Sequence, residues 1–179
     1  VIIIIKLLGH DIIIKMTLKI LILLLTLLSA SLEASEIEGV PFVRQDSHFC
    51  GPAALASVLS YYGSPVDQET IGKEVYCDGL KGSLITDLET FARKRGFKTR
   101  LAQGSMDDIE GFMAEKRPVI VLVDMGFWVV SKPHYLVVTG CTAGEVTAHT
   151  GYEASKRFSR EDFVRIWKKQ GSVYLVVHP

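Results

Sequence analysis

Two hydrophobic patterns follow one another along the chain. Between residues 51 and 117, apolar side chains recur every three or four positions, a spacing that predicts amphipathic helices. Between residues 118 and 177, apolar side chains form short runs rich in β-branched residues, which predict buried strands. Helices followed by mostly antiparallel strands predict an α+β domain.

Residues that cap or stop helices set the bounds of the predicted elements. Asp67, Ser105 and Ser159 stand where an N-cap is needed, and Gly96 stands where a helix ends. The predicted helices cover residues 51–62, 68–76 and 83–95 and the segments that follow Ser105 and Ser159. The predicted strands cover residues 98–101, 118–123, 135–139, 146–149 and 172–177.

The N-terminal segment has a different pattern. An apolar run at residues 20–28 follows Lys19, and small residues follow the run as far as Ala34. With Met16 as the true start, this order is typical of a secretory signal peptide. We therefore predict a signal peptide over residues 1–34, one domain over residues 35–179 and a periplasmic or secreted location. The alternative is an uncleaved membrane anchor, although the run is shorter than the roughly 20 apolar residues of a span.

Composition and charge exclude several classes of partner. The chain has 20 Lys+Arg and 20 Asp+Glu among 179 residues, so no basic excess predicts binding to nucleic acid. It has no Walker-type glycine loop, so we expect no ATP. Cys77 and Cys141 lack metal-binding spacing, and we expect neither a metal nor a cofactor. Three cysteines leave at least one free thiol, and a Cys77–Cys141 disulfide stays open.

The first candidate for chemistry is Cys50, which immediately precedes the helix predicted to begin at Gly51. Unpaired backbone N–H groups at a helix N-terminus stabilise a thiolate, so we expect a lowered pKa for this thiol. The thiolate is the nucleophilic form of cysteine. Position alone also fits a buried structural cysteine.

The residues around Cys50 resemble the nucleophile segment of papain-like cysteine peptidases. The segment QDSHFCGPAAL, which begins at Gln45, is most similar to peptidase family 39, the bacteriocin-processing double-glycine leader peptidases and their stand-alone exported relatives. His134 lies 84 residues after Cys50 and begins the run HYLVV, as the histidine of that family begins a strand. The resemblance covers residues 40–177 and implies the papain-like fold, with N-terminal helices packed on a mostly antiparallel sheet.

The resemblance also implies a role for each candidate catalytic residue. Cys50 would attack the scissile carbonyl, and His134 would hold the thiolate as an ion pair and protonate the leaving amine. The side-chain amide of Gln45 would donate a hydrogen bond to the developing oxyanion. Thr150 stands where the family has Asp or Asn, and we expect its hydroxyl to orient the imidazole. We expect neighbouring His149 to face solvent.

Residues near the candidate pair have less specific predictions. We expect His48 to lie on the rim of the cleft. Phe127 and Trp128 precede the histidine in a loop, where they would line the cleft, shield the catalytic pair from water, or pack in the core.

These roles predict an exported cysteine-type peptidase that hydrolyses peptide bonds in a peptide or protein substrate through a Cys50 thioester. A transglutaminase-like thiol acyltransferase is one alternative, in which an amine takes the acyl group instead of water. A catalytically idle peptide-binding module is another, and the missing acid at Thr150 favours it. The presence of Gln45, Cys50 and His134 argues against idleness.

Overall fold

The computed structural model describes residues 35–126, 128 and 130–179, together with Met16 and Lys19. Most of the predicted signal peptide, and also Phe127, therefore lie outside the described residues. The helices are α1 (Cys50–Tyr61), α2 (Gln68–Val75), α3 (Ile85–Lys94), α4 (Met106–Ala114) and α5 (Arg160–Lys168). The strands are β1 (Ser35–Glu36), β2 (Tyr76–Cys77), β3 (Gly82–Ser83), β4 (Lys98–Gln103), β5 (Val119–Asp124), β6 (Pro133–Cys141), β7 (Glu145–His149), β8 (Lys156–Ser159) and β9 (Val173–His178).

One antiparallel sheet carries the fold and confirms the α+β prediction. Its strands lie in the order β4–β9–β5–β6–β7–β8, and β1 pairs with β6. The longest strand, β6, lies in the interior of the sheet between β5 and β7. Within the described part of the chain, no helix combines the length and apolar character needed to cross a membrane.

Helix α1 is buried on nearly all sides because it lies between the sheet and two other helices. Every residue from Gly51 to Leu59 is buried, and the helix packs on β6, α2 and α3. A helix in such a position needs apolar or small side chains all round rather than a single stripe. The sequence CGPAALASVLSY provides them, so α1 fixes its first residue firmly against the centre of the sheet.

Polar caps begin three of the helices as predicted. The Asp67 side chain accepts a hydrogen bond from the Thr70 backbone N–H, and Ser159 caps α5 in the same way. Ser105 and Asp108 form a full capping box at the start of α4. The β2–β3 hairpin and β8 were not predicted, because these strands have two to four residues and no continuous buried run.

Candidate active site

Cys50 is the first residue of α1, and a close approach to β6 determines where its sulfur lies. A Cβ atom on Gly51 would stand 3.2 Å from the Tyr135 ring, so the absence of a side chain lets the helix start pack directly on the strand. The backbone N–H of Tyr135 lies near the Cys50 sulfur and acts to lower the pKa of this thiol. This contact brings Cys50 next to the residue that follows His134.

His134 lies near the start of β6, opposite Val123 of β5, and its side chain is only 5% exposed. Its Nε2 lies 2.7 Å from the backbone carbonyl oxygen of Thr150. Because a carbonyl oxygen can only accept, Nε2 carries the proton and Nδ1 is the basic nitrogen of the neutral ring. The imidazole is thereby held in the tautomer that can take a proton from a thiol.

The predicted contact between Thr150 and His134 is present, but Thr150 makes it with its main-chain carbonyl and not with its hydroxyl. Its main-chain carbonyl contacts His134, whereas its hydroxyl accepts hydrogen bonds from the backbone N–H groups of Tyr152 and Glu153, at 3.3 and 3.0 Å. The Thr150 hydroxyl therefore shapes the turn formed by residues 149–155. The expectation that it orients the imidazole was wrong, because a carbonyl is available at any residue and this turn presents it directly.

Gln45 reaches the site from a segment that precedes α1. Its backbone N–H donates to the carbonyl of Gly151 at 2.9 Å, which ties the segment to the 149–155 turn. Its buried side-chain Nε2 donates to the Ser47 carbonyl and to the Tyr152 hydroxyl, both at 3.0 Å. Gly151 has φ +78°, and a Cβ there would lie 2.6 Å from Gln45 Oε1. A glycine is therefore needed both for this backbone conformation and for the close approach of the Gln45 amide.

Burial shifts both members of the candidate pair toward their neutral forms. Desolvation raises the pKa of the Cys50 thiol above its ordinary value, although backbone N–H groups of Tyr135 and Gly51 oppose the shift. Desolvation also lowers the pKa of His134, against the opposing effect of the Thr150 carbonyl. The expected lowering of the thiol pKa was therefore wrong, because loss of hydration outweighs the helix N-terminus. Both groups therefore favour their neutral forms in the free protein.

Two other sequence expectations change. His149 does not face solvent: it is 7% exposed, its Nε2 donates to the Val40 carbonyl at 3.0 Å, and its Nδ1 accepts from the Ser155 N–H at 3.0 Å. Val40 belongs to the segment that precedes α1, and that segment covers the end of β7 and shields the imidazole from water. Trp128 is 89% exposed, which excludes core packing for this residue.

Asp124 is a supporting residue that sequence reasoning missed. It ends β5, and its buried carboxylate accepts hydrogen bonds from the backbone N–H groups of Gly126 and Lys132, at 2.7 and 2.8 Å, and from the Ser131 hydroxyl at 2.9 Å. The N–H donors of Lys132 and Gly126 hold the pKa of this carboxyl below its usual range. Asp124 thus joins residues near both ends of the loop that leads into His134. A polar residue at the end of an otherwise apolar strand was the available signal.

Cys50, Cys77 and Cys141 are all free thiols. Cys77 is exposed in the β2–β3 hairpin, whereas Cys141 is buried at the end of β6. The structure therefore contains no Cys77–Cys141 disulfide, a pairing that the sequence left open. His48 is exposed close to Cys50 in sequence, which agrees with a place outside the core.

Comparison with known proteins identifies the family. Residues 40–179 match the model of the family described as Peptidase C39. The chain belongs to the Peptidase C39 family. It is a cysteine-type peptidase, and the resemblance noted in the sequence is confirmed. A search among curated proteins found no significant match.

Solved structures share the fold of this C39 domain. The peptidase domain of Streptococcus ComA, a bi-functional ABC transporter involved in a quorum-sensing pathway, is 26% identical with TM-score 0.66, over 78% of this chain and 98% of that chain. A C39-like peptidase from Bacillus anthracis is 19% identical with TM-score 0.69, over 82% and 98%. A double glycine motif protease from an AMS/PCAT transporter, in complex with the leader peptide, is 20% identical with TM-score 0.66, over 80% and 94%. The predicted papain-like architecture is confirmed.

Proposed function

We propose that this C39 domain is an exported peptidase that cleaves peptide bonds through a thioester on Cys50, with His134 as general base and then general acid. The observation that carries the proposal concerns the two ring nitrogens of His134: one is engaged, and the other has no hydrogen-bond partner among the described residues. His134 Nε2 is held by the Thr150 carbonyl at 2.7 Å, which leaves Nδ1 as the proton acceptor. The next residue of the same strand, Tyr135, lies near Cys50 through its backbone. Export rests on the sequence pattern of residues 1–34.

The neutral pair defines the order of events. The Cys50 sulfur attacks the carbonyl carbon of the scissile bond as its proton passes to His134 Nδ1. The carbonyl oxygen becomes an oxyanion, which the backbone N–H at the start of α1 can stabilise. His134 then gives the proton to the leaving amine as the C–N bond breaks. Water, deprotonated by the same nitrogen, hydrolyses the thioester and restores the thiol.

Peptides with a double-glycine ending are the first substrates to test, because one structural neighbour is described as a double glycine motif protease bound to a leader peptide. We suggest an acetylated octapeptide that ends in Gly-Gly and carries aminomethylcoumarin as the leaving amine. Wild type should release coumarin, and Cys50→Ala should show less than about a hundredth of that rate. Cys77→Ala is the matched control, because it removes an exposed thiol and should retain full activity.

Two further measurements separate the alternative functions. An acyltransferase would give more aminolysis product than acid when glycinamide is added, as measured by mass spectrometry. An idle binding module would bind the peptide in calorimetry and release no coumarin with any peptide in a library. Thr150, which stands where the family has an acid, is the feature that favours idleness, although its carbonyl keeps the imidazole oriented. N-terminal sequencing of the chain recovered from its host tests export, and an intact Met16 would contradict it.

A further inference from the structure

The ring of Tyr152 lies on the imidazole of His134. The two ring centroids are 5.7 Å apart and the ring planes are inclined by only 10°, which is an offset stack. Tyr152 is 55% exposed, whereas His134 is 5% exposed. The tyrosine ring therefore lies on the outer side of the stack and separates one face of the imidazole from water.

The tyrosine is anchored at both ends of its side chain. Its backbone N–H donates a hydrogen bond to the Thr150 hydroxyl at 3.3 Å. Its hydroxyl oxygen accepts a hydrogen bond from Gln45 Nε2 at 3.0 Å. An exposed side chain is ordinarily free to change rotamer, but these two contacts keep the ring that lies between them over the imidazole.

The hydrogen bond that orients His134 is of a kind that water weakens. His134 Nε2 donates to the main-chain carbonyl of Thr150 at 2.7 Å, and both groups are neutral in the free protein. A hydrogen bond between neutral groups contributes little where water competes for its partners and more where water is excluded. The acid of the family pattern would also hold the ring by its charge. With a carbonyl in that role, this chain depends more on keeping water away from the imidazole.

We propose that Tyr152 is a positioning residue for the reaction, because its ring holds the plane of the His134 imidazole and keeps water from the His134–Thr150 hydrogen bond. The inference rests on the peptidase function proposed above and adds a residue to it. Tyr152 acts through His134, so no bond to the substrate and no proton transfer is assigned to it. The ring, and not the hydroxyl, is the part that acts on the imidazole.

Loss of the ring should raise the pKa of His134. Burial is the main effect that lowers this pKa, and the positive charge of Lys132 acts in the same direction. Water that reaches the uncovered face would solvate the imidazolium, so the effect of burial would become smaller. Lys132 belongs to the loop before β6 and would keep its effect. The pKa should therefore move up toward the ordinary histidine value of about 6.5.

Two variants separate the ring from its hydroxyl. Tyr152→Ala removes the ring and should lower kcat/KM for the Gly-Gly peptide about 10- to 50-fold, mainly through kcat, because the base is less well oriented. Tyr152→Phe keeps the ring, so its kcat/KM should stay within about threefold of wild type. Tyr61→Ala is the matched control, because it removes a tyrosine ring from the pair with Tyr62 at the far end of α1 and should retain full activity.

A titration of the His134 imidazole tests the same role without a substrate. The carbon-bound ring protons are followed by NMR against pH, and their signals are assigned by their absence in His134→Ala. In Tyr152→Ala the midpoint should rise by about half a pH unit or more relative to wild type. In Tyr152→Phe and Tyr61→Ala it should stay within about 0.2 pH unit of wild type.

Three results would overturn the inference. The first is hydrolysis by Tyr152→Ala within about threefold of wild type. The second is an equal loss in Tyr152→Phe, because the hydroxyl rather than the ring would then matter. The third is a loss of hydrolysis in Tyr152→Ala with an unchanged His134 midpoint, which would indicate a structural role away from the imidazole.

The proposed function is judged separately. If wild type cleaves no peptide in the library, the peptidase proposal fails, and the titration still decides whether Tyr152 shields the imidazole. If wild type cleaves and Tyr152→Ala cleaves equally well, the peptidase proposal stands and the role of Tyr152 fails.

Discussion

Two buried histidines on neighbouring strands have almost the same surroundings but differ at one nitrogen. His134 on β6 and His149 on β7 are 5% and 7% exposed, and the Nε2 of each meets a backbone carbonyl. In His149 the second nitrogen accepts a hydrogen bond from the Ser155 N–H. In His134 the second nitrogen has no such backbone donor among the described residues. His134 also directly precedes Tyr135, whose backbone lies near Cys50.

The difference is the one expected between a structural histidine and a histidine with the proposed catalytic role. A ring with both nitrogens engaged is a polar crosslink, because one nitrogen donates to the Val40 carbonyl and the other accepts from the Ser155 N–H. A ring with one engaged nitrogen is oriented and still basic. Burial and a carbonyl partner are common to both, so neither feature alone identifies a catalytic base. The second nitrogen distinguishes them, and it is the feature that suits His134 to the proposed role of catalytic base.

The largest expected effect is on catalysis at His134. Replacing His134 by Ala should lower kcat/KM for the Gly-Gly peptide by about 10³-fold, because proton transfer is lost. The free energy of unfolding should fall by about 1 kcal/mol, the worth of one hydrogen bond. Coumarin release and urea titration measure the two quantities. A residual rate above a tenth of wild type would remove His134 from the mechanism.

Replacing His149 should lower stability more than that of His134 does, and catalysis much less. His149→Ala leaves the Val40 carbonyl and the Ser155 N–H without their partner, so we expect a loss of about 2–4 kcal/mol in the free energy of unfolding. Once the rate is corrected for the folded fraction, kcat/KM should fall less than about tenfold, because the reactive groups remain. A folded His149→Ala variant as inactive as His134→Ala would contradict the distinction between the two histidines.

The pH dependence of hydrolysis should show a broad plateau. Neutral His134 is the active form, and burial lowers its pKa, so activity should rise with pH below the ordinary histidine value of about 6.5. Burial raises the pKa of the Cys50 thiol, so activity should be lost only above the ordinary thiol value of about 8.5. A profile of kcat/KM against pH locates both limbs. An acid limb above about 6.5, or an alkaline limb below about 8.5, would contradict these two shifts.

The smallest effect is expected at Thr150. Thr150→Ala removes the hydroxyl that shapes the turn but keeps the carbonyl that holds His134, so kcat/KM should fall only about two- to fivefold. Thr142→Ala is the matched control, because the Thr142 hydroxyl accepts from the Gly144 and Glu145 N–H groups in a similar turn between β6 and β7. A loss at Thr150 as large as that of His134→Ala would mean that the hydroxyl orients the ring.

Local signals were readable from the sequence because they act between residues close together in the chain. The capping box of Ser105 and Asp108 spans three positions, and the apolar run of β6 announces a buried strand. The resemblance to the C39 pattern singled out Cys50 and His134 as candidates, since their order and spacing along the chain fit that pattern. The α+β class follows from the same local patterns.

Contacts made by main-chain atoms could not be read in this way. The sequence could not single out the Thr150 carbonyl, because every residue has a main-chain carbonyl. His149 is buried by the Val40 carbonyl, 109 positions away, so its exposure depends on how the chain returns to the sheet. The pKa of Cys50 was misjudged for a related reason: the helix N-terminus is local, whereas the burial that outweighs it comes from the whole fold.

The segment before α1 also determines when the site comes into being. It joins the 149–155 turn through Val40 to His149 and through Gln45 to Tyr152, contacts that span 109 and 107 positions. Closing chain loops of that size costs entropy before any contact offsets it, so such contacts tend to form late in folding. The contact of helix α1 with strand β6 joins residues about 84 positions apart, so it carries a similar cost. We therefore expect the whole candidate site to assemble late in folding, and a newly made chain to lack it until the domain has folded.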